Sequence, residues 1–328
     1  MRLSIFGIGY VGAVSCGCLA SLGHDVIGVD VSPQKVDMLA RGISPIVEAD
    51  IGELIAEAVR AGLLTATSDV AAAVANSDVS FVSVGTPSAP DGSVSLHAVD
   101  EVIASIGRAI AGKTTPHIVV MRSTVPPGTA ENRVIPILEQ SSGRKIGAGL
   151  AYYSNPEFLR EGSAVRDFRM PPFTLLGSAE GDDAAVVREI YAGIEAPLHV
   201  VAYNVAESAK HISNVFHAVK LAFANEAGAV LAAQGVDARE VFRVFCEDRI
   251  LNISPAYLRP GFAFGGSCLP KDVRSFLALG RQQDVATPFL GHVLPGNMAV
   301  IDRAFAAVTA LGRKRVAMFG LVWVCSAA

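Results

Sequence analysis

Gly7-Ile8-Gly9-Tyr10-Val11-Gly12 is the stretch of sequence that decides the fold of this chain. It follows an apolar, strand-like run at residues 3–6 and opens a helical run at residues 11–22, and Asp30 stands at the end of the next strand-like run. A lone G-x-G-x-x-G is a weak signal, because glycine is common in turns. Strand, glycines, helix and acidic residue in this order form the dinucleotide-binding fingerprint.

Each position of the fingerprint has a physical task. Gly7 makes the tight turn, Gly9 lets a pyrophosphate reach the helix N-terminus, and Gly12 allows helix and strand to pack closely. Asp30 can accept hydrogen bonds from ribose hydroxyls and would repel a 2′-phosphate, which favours NAD over NADP. Lys35 is a candidate to reach the ribose, although an ordinary surface lysine fits its position equally well. A purely structural glycine turn is the alternative interpretation.

Short apolar runs alternate with helical runs through the first half of the chain. The strand-like runs are residues 3–6, 26–29, 79–84 and 117–121, and the helical runs are 11–22, 51–61 and 99–110. This alternation predicts an α/β fold with a Rossmann-like, doubly wound parallel sheet over residues 1–202.

Helical patterns dominate after that sheet. One long helix is predicted over residues 205–235, ending at Gly235, and an all-helical central domain over residues 203–312. The apolar pattern of residues 315–321 predicts another β-strand, which we interpret as the start of a further domain over residues 313–328. A C-terminal edge strand on the existing sheet is the alternative.

Composition limits the function classes. The 328 residues are 51% hydrophobic and 18% charged, which is typical of a globular protein, and a net charge of −4 gives no electrostatic reason to expect nucleic acid. No uncharged apolar run is long enough to cross a bilayer, and the N-terminus has no signal-peptide pattern. Five scattered cysteines indicate reduced cytoplasmic thiols without a zinc site. We therefore expect a cytoplasmic protein without metal, membrane or nucleic-acid partners.

A second decisive stretch is Phe264-Gly265-Gly266-Ser267-Cys268-Leu269-Pro270-Lys271-Asp272. The glycines allow a close approach of backbone or ligand. A lysine near a thiol favours the thiolate, the form that attacks carbonyl groups. The stretch predicts that Cys268 forms a covalent intermediate.

Several polar residues follow apolar strands. Thr86 and Thr124 come just after two of them, where ligands bind in open α/β sheets, so both are candidates to touch the cofactor; ordinary turn chemistry is equally compatible with each. Glu157 and Glu161 lie in a turn after another strand-like run. Glu161 could act as a general base on water, and either glutamate could instead be a carboxylate at a helix start.

The long predicted helix carries a polar stripe in an apolar frame. Its members fall at i, i+4, i+7 and i+15, on one helical face: Lys210, Asn214, His217 and Asn225. Asparagine and histidine contribute less to solubility than charged residues do. We therefore favour the interpretation that this face of the helix binds an oxygen-rich ligand over the interpretation that it is simply exposed to solvent.

Together these segments resemble the NAD-dependent nucleotide-sugar 6-dehydrogenases of the UDP-glucose/GDP-mannose dehydrogenase family. Ser267-Cys268-Leu269-Pro270 and the lead-in Arg259-Pro260-Gly261-Phe262-Ala263-Phe264 favour its GDP-mannose branch over its UDP-glucose branch. The resembling segments run across essentially the whole chain and comprise residues 7–12, 85–87, 123–129, 155–162, 210–225 and 259–272.

The resemblance implies a four-electron oxidation of a sugar C6 from alcohol to acid with two NAD, through a thiohemiacetal and a thioester on Cys268, to supply GDP-mannuronate for alginate. It implies a homodimer that exchanges elements. The catalytic residues would be Cys268, Lys210, Asn214, Glu161, Thr124 and Asp272. The cofactor-binding residues would be Gly7, Gly9, Tyr10, Val11, Gly12, Asp30, Lys35, Thr86, Thr124 and Lys271. The substrate-binding residues would be Glu161, Lys210, Asn214, His217, Asn225, Tyr257, Arg259 and Gly265.

The chain also departs from the family pattern. Val324 stands where a substrate-binding lysine is expected, and Ala256 where close relatives carry tyrosine. We expect that the family's further Rossmann-like domain is missing, which would leave a truncated copy that binds NAD weakly and shows little or no oxidation of GDP-mannose. A UDP-glucose 6-dehydrogenase-type enzyme, a one-step β-hydroxyacid dehydrogenase and a non-catalytic NAD-binding or dimerising fragment are the alternatives.

Overall fold

A computed structural model describes residues 1–91, 93–182, 184–254, 262–265, 268–312 and 315, with the backbone alone for Cys268, Lys271 and Asp272. The chain divides into two compact units, Met1–Asn214 and Val215–Ala328. The strands are β1 Arg2–Phe6, β2 Asp25–Val29, β3 Leu64–Thr67, β4 Val79–Val82, β5 His117–Met121, β6 Leu150–Ser154, β7 Thr174–Ser178 and β8 Leu198–Ala202.

The helices alternate with these strands in the first unit and follow one another in the second. They are α1 Tyr10–Ser21, α2 Pro33–Ala40, α3 Ile51–Arg60, α4 Val70–Ala75, α5 His97–Ala111, α6 Ile135–Ser142, α7 Ala164–Arg169, α8 Ala185–Ile190, α9 Tyr203–Ala233, α10 Ala238–Phe245, α11 Cys268–Gln282, α12 Pro288–Gly291 and α13 Val293–Ala310. A π-helical turn at Ala130–Val134 leads into α6.

The first unit is built on one eight-stranded sheet in the order β3-β2-β1-β4-β5-β6-β7-β8. Its central strands are rich in Val, Ile and Phe, and β4 is buried along its whole length, as expected for a strand covered on both faces. Two separate apolar clusters flank the sheet, one including residues of α1, α3 and α7 and the other residues of α4, α5 and α6. The predicted doubly wound sheet is confirmed.

One junction in the sheet is not parallel. Strands β6 and β7 pair antiparallel through Ser154 and Gly177, near the carboxyl ends of both. A Cβ on Gly177 would lie 2.9 Å from the Cα of Tyr203, the first residue of α9. The absence of a side chain at Gly177 therefore lets α9 begin directly against the end of β7.

The second unit is helical over its described residues, as predicted, and contains α10 to α13. Glu226 of α9 accepts hydrogen bonds from the backbone N–H groups of Phe289 and Leu290, at 2.6 and 2.8 Å, and so satisfies free donors at the start of α12. Asn297 bonds both the N–H and the carbonyl of Phe264. Apart from residue 315, the strand predicted at 315–321 lies outside the described residues.

Helix α9 confirms the long helix predicted over residues 205–235. By length and composition alone it could cross a membrane, and only 11% of its most apolar window is buried. It also carries Glu207 and Lys210, which are buried against polar partners in the first unit.

Candidate functional site

The glycine turn between β1 and α1 leaves no room for side chains at two of its positions. Gly7 has a φ of +93°, and a Cβ there would lie 2.8 Å from the carbonyl oxygen of Ser83. A Cβ on Gly12 would lie only 1.7 Å from the carbonyl oxygen of Gly7. A Cβ on Gly9 would meet nothing within 4 Å. The turn therefore packs tightly on one side and is open at Gly9, where a pyrophosphate would approach the N-terminus of α1.

Asp30 is held rigidly at the end of β2. Its carboxylate accepts hydrogen bonds from the backbone N–H groups of Ile8, at 2.7 Å, and Ser32, at 2.9 Å. The ammonium of Lys35 lies 3.7 Å from the same carboxylate. Each carboxylate oxygen has further acceptor capacity for a ribose hydroxyl. The open Gly9 and the fixed acid at the next strand end are the features that an NAD adenosine and pyrophosphate require.

The two candidate threonines lie together at the ends of β4 and β5. The Thr86 hydroxyl donates to the backbone carbonyl of Thr124 at 3.0 Å, and both residues are half-buried. Nearby, the Ser123 hydroxyl donates to the carbonyl of Val84 at 2.7 Å. These bonds fasten the two loops to each other at the edge of the sheet where the glycine turn also lies.

Lys210 lies buried in α9 and pairs with Glu157. The Lys210 ammonium is 3.3 Å from a Glu157 carboxylate oxygen, and the side chains are 7% and 11% exposed. The ammonium also lies 5.3 Å from the centre of the Phe158 ring. A buried ion pair of this kind holds a charged donor in one place, which suits a group that must stabilise a developing oxyanion.

The segment that carries Glu157 is anchored at its start by Asn155. The Asn155 carbonyl accepts hydrogen bonds from Arg122, at 2.8 Å, and from the Tyr191 hydroxyl, at 2.6 Å. Its amide donates to the backbone carbonyl of Leu175 at 2.8 Å. Because Asn155 is almost fully buried, its three bonds fix where the chain leaves β6 and therefore where Glu157 begins.

Glu207 ties α9 to the loop that follows Thr124. Its carboxylate accepts from the backbone N–H groups of Gly128, at 2.6 Å, and Ala130, at 2.9 Å. Burial raises the pKa of this carboxyl, and the backbone hydrogen bonds oppose that rise. Glu207 and Lys210 line a small pocket of about 10 Å³ together with Met121, Ser123, Thr124, Val125, Ser154 and Pro156. That volume is room for about one water molecule.

The structure brings together only some of the residues predicted for the site. Lys210 and Thr124 line one pocket, and Tyr10 and Val11 lie in the first turn of α1. Four other predicted residues have exposed side chains: Glu161, Asn214, His217 and Asn225. The last three lie on α9, as Lys210 does. Gly265 is exposed as well.

The predicted residues of the cysteine region are only partly described. Cys268 is the first residue of α11, and the helix includes Lys271 and Asp272. Tyr257 and Arg259 lie outside the described residues, as do Ala256 and Val324. Among the described residues, no group of three or more His, Cys, Asp or Glu side chains could hold a metal ion.

Sequence reasoning missed three contributors to this site. Glu157, not Glu161, is the glutamate paired with Lys210, and Glu207 and Asn155 hold the surrounding loops. The usable signal for Glu157 was its place, three residues beyond the end of β6, where ligand-facing groups collect in such sheets. Asn155, which directly follows β6, carried the same signal, whereas Glu207 gave none, because its partners are backbone groups distant in sequence.

Comparison with known proteins assigns both parts of the chain. Residues 1–195 match the NAD binding domain of the UDP-glucose/GDP-mannose dehydrogenase family, and residues 204–299 match its central domain. The chain belongs to this family. The family assignment identifies the cofactor as NAD, and the open position at Gly9 leaves room for its pyrophosphate.

Relatives within the family include GDP-mannose 6-dehydrogenase of Pseudomonas aeruginosa, 47% identical over 98% of this chain and 74% of the relative. UDP-glucose 6-dehydrogenase of Haloferax volcanii is 36% identical over 98% of this chain and 76% of that protein. Among solved structures, a ternary complex of GDP-mannose dehydrogenase from P. aeruginosa has a TM-score of 0.92 at 48% identity, covering 94% of this chain and 71% of that one. A UDP-glucose dehydrogenase from Pyrobaculum islandicum has a TM-score of 0.72 at 38% identity, covering 95% and 71%.

Proposed function

We propose that this family member oxidises C6 of GDP-mannose from the alcohol to the acid, giving GDP-mannuronate, a precursor of alginate. The observation that carries the proposal is the buried Lys210–Glu157 pair beside Thr124, at the same sheet edge as the glycine turn. The substrate assignment is supported by the higher identity to GDP-mannose 6-dehydrogenase, 47%, than to UDP-glucose 6-dehydrogenase, 36%.

The chain's own residues would act at C6 as follows. NAD, when bound, supplies the hydride acceptor for both two-electron oxidations. The Cys268 thiolate adds to the aldehyde carbon and forms a C–S bond, which keeps the intermediate on the protein. The second oxidation gives a thioester, and water cleaves its C–S bond to release the acid and return the thiolate. The position of Cys268 at the start of α11 supports this role, because the N-terminal end of a helix favours an anion.

Other residues would hold charge, protons and water. Lys210 and Asn214 would donate to the oxyanion that develops at each addition. Thr124 and Glu161 would place water and move protons, and Asp272 would orient the thiolate and the water. The water-sized pocket at Thr124 and Lys210 supports the idea of a fixed water there.

Binding of the two ligands is proposed on the same residues as the family resemblance implies. For NAD these are Gly7, Gly9, Tyr10, Val11, Gly12, Asp30, Lys35, Thr86, Thr124 and Lys271, and for the sugar nucleotide Glu161, Lys210, Asn214, His217, Asn225, Tyr257, Arg259 and Gly265. We assign cofactor binding to residues 1–202, and dimerisation with the catalytic cysteine to residues 203–312. The working form would be a cytoplasmic homodimer without metal or membrane attachment.

Product analysis on the purified chain tests the proposal. With GDP-mannose and NAD⁺ we expect two NADH for each acid formed, and a much slower reaction with UDP-glucose. Cys268→Ser should abolish acid formation, whereas Cys246→Ser, at an exposed free cysteine, should leave it unchanged. One NADH per turnover, or normal acid output from the Cys268→Ser protein, would contradict the proposal. NAD⁺ binding without oxidation of either sugar nucleotide would instead support the alternative of a non-catalytic NAD-binding fragment. Faster oxidation of UDP-glucose would instead assign the chain to the other branch.

A further inference from the structure

Glu48 makes three contacts that none of the proposed catalytic roles uses. It is half-buried in the segment between α2 and α3. One carboxylate oxygen accepts hydrogen bonds from the hydroxyl of Tyr10 and from the backbone N–H of Gly162, the latter at 2.7 Å. The other oxygen accepts from the backbone N–H of Ala164 at 3.1 Å. A single carboxylate thus joins parts of the chain separated by more than a hundred residues.

The donors belong to two functional parts of the first unit. Tyr10 is the first residue of α1 and stands inside the glycine fingerprint. Gly162 closes the segment at residues 155–162, which contains the Lys210 partner Glu157 as well as Glu161, and Ala164 begins α7. Glu48 therefore connects the turn that receives the pyrophosphate with the segment that positions the buried ion pair.

We propose that Tyr10 and Glu48 are a positioning pair, through which NAD in the glycine turn orders the substrate-facing segment 155–162. This deepens the proposed function and rests on it for the nature of the sugar substrate, while the link to NAD depends only on the glycine turn. Through this pair, binding of NAD and binding of the sugar nucleotide would favour each other.

The bonds of Glu48 have the strength and direction for this task. Hydrogen bonds to an ionised carboxylate are stronger than those between neutral groups. The pKa of Glu48 is lowered, mainly by the Tyr10 hydroxyl, and that of Tyr10 is raised by burial and by Glu48, so the carboxylate stays charged and the phenol keeps its proton. All three donors are neutral, and the Tyr10 hydroxyl is the one among them that belongs to the glycine fingerprint.

The rest of the segment is anchored mainly by contacts outside the cofactor turn, apart from a long hydrogen bond of 3.4 Å from the Tyr10 hydroxyl to the backbone carbonyl of Arg160. Asn155 fixes its start, and Arg160 bonds Asp167 of α7 with its guanidinium, at 2.6 Å and 2.9 Å. These anchors keep the segment folded when the Glu48 contacts are lost. Removing the Tyr10 hydroxyl or the Glu48 charge should thus loosen the end of the segment, at residues 161–164, without unfolding the unit.

Amide hydrogen exchange of the full chain, with and without saturating NAD⁺, tests the pair. In the unmodified protein we expect NAD⁺ to slow exchange at residues 161–164 by about fivefold or more, a change worth about 1 kcal/mol. Tyr10→Phe and Glu48→Gln, each measured at an NAD⁺ concentration that saturates that variant, should lose this NAD-dependent protection. Glu57→Gln, an exposed glutamate on α3 that loses the same charge, should retain it.

A merely structural bond would give a different pattern. It would raise exchange at these residues by the same factor with and without NAD⁺, which would overturn the proposal. NAD-dependent protection that survives in Tyr10→Phe would overturn it as well, and so would an unmodified protein that binds NAD⁺ without any change at 161–164. Failure of the proposed function is distinguishable, because it would appear as missing NAD⁺ binding or missing acid formation.

Discussion

Gly9 and Gly12 differ in what an added methyl group would meet, and this difference separates folding from cofactor binding. In Gly12→Ala the Cβ would collide with the carbonyl of Gly7, whereas in Gly9→Ala it would project into open space. We expect Gly12→Ala to lower both the melting temperature and NAD⁺ affinity. Gly9→Ala should keep the melting temperature within a few degrees and lose NAD⁺ affinity by about tenfold or more, because the methyl group occupies the pyrophosphate approach.

Thermal unfolding and an NAD⁺ titration of the same two preparations measure this difference. Equal NAD⁺ affinity in Gly9→Ala and the unmodified chain would show that the cofactor does not approach α1 at that glycine.

The Lys210–Glu157 pair gives a second prediction at the residue scale. Lys210→Met removes the ammonium and leaves the buried Glu157 carboxylate without its cation, so we expect a loss of about 3–5 kcal/mol in the free energy of unfolding. Adding Glu157→Gln removes the orphaned charge and should restore part of that loss. Urea unfolding of the two single variants and the double variant measures the coupling. A double variant less stable than Lys210→Met would show that the carboxylate does not depend on the lysine.

At the same scale, the sequence predicted residues whose role follows from a local pattern. The fingerprint glycines and Asp30 lie where the pattern requires. Thr86 and Thr124 contact each other, while their predicted contact with the cofactor stays a prediction. The sequence analysis singled out Glu161 and did not indicate that Glu157 pairs with Lys210, because that pairing depends on which glutamate reaches a lysine more than fifty residues away. Such a choice is made by tertiary packing and leaves no local trace.

At the scale of secondary-structure elements, a buried polar network fastens the amino-terminal ends of β1, β4 and β5. The Ser4 hydroxyl lies 2.8 Å from that of Ser80, which lies 2.8 Å from Nε2 of His117. The Lys113 ammonium lies 3.1 Å from Nδ1 of the same ring. Burial, reinforced by Lys113, lowers the pKa of His117 to about 3, so the ring is neutral in the folded protein.

This shift predicts acid sensitivity. Between pH 6.5 and about 3 the unfolded chain binds a proton at His117 that the folded chain does not. The free energy of unfolding should therefore fall as pH drops through this window, and His117 should account for up to about 1.4 kcal/mol per pH unit of that fall. Above pH 6.5 the ring is neutral in both the folded and the unfolded chain, so none of this stability is lost there.

Urea unfolding at several pH values between 4 and 7 checks this expectation, with His117→Asn as the comparison. The variant should be less stable at pH 7 and should show a shallower fall with acidification. An identical pH slope in both proteins would mean that other groups dominate the acid response.

Element positions were well predicted because hydrophobic periodicity encodes them directly. The predicted strand at 117–121 is β5 unchanged, and the long helix at 205–235 is α9 shifted by two residues at each end. The antiparallel pairing of β6 with β7 was not foreseen. The hydrophobic pattern of a short apolar strand such as β7 does not indicate whether it pairs parallel or antiparallel with its neighbour. Its direction depends on the path that the chain takes between the strands.

At the scale of the whole molecule, α9 exposes more apolar surface than a solvated helix normally does. Ile212 is 67% exposed, Val215 58% and Leu221 65%, and Phe216 and Val219 are exposed as well. A second copy of the chain is the partner proposed for this surface, since contiguous apolar patches mark interfaces.

Light scattering coupled to size exclusion tests the homodimer. We expect a mass twice that of the 34.2 kDa chain, and the monomer mass for the double variant Val215→Glu/Phe216→Glu. Met170→Glu, a charge introduced at an exposed apolar residue of the first unit, serves as the control and should leave the mass unchanged. A monomeric unmodified chain at micromolar concentration would contradict the dimer.

The direct junction between β8 and α9 makes this chain intolerant of length changes at one point. Strand β8 ends at Ala202 and α9 begins at Tyr203, so no loop can absorb an added residue. Each residue inserted into a helix turns everything beyond it by about 100°. One extra residue there would swing Lys210 away from Glu157, whereas the same insertion between α5 and β5 would enlarge a surface loop. Length variation among functional homologues should accordingly be accepted in such loops and rejected at residues 202–203.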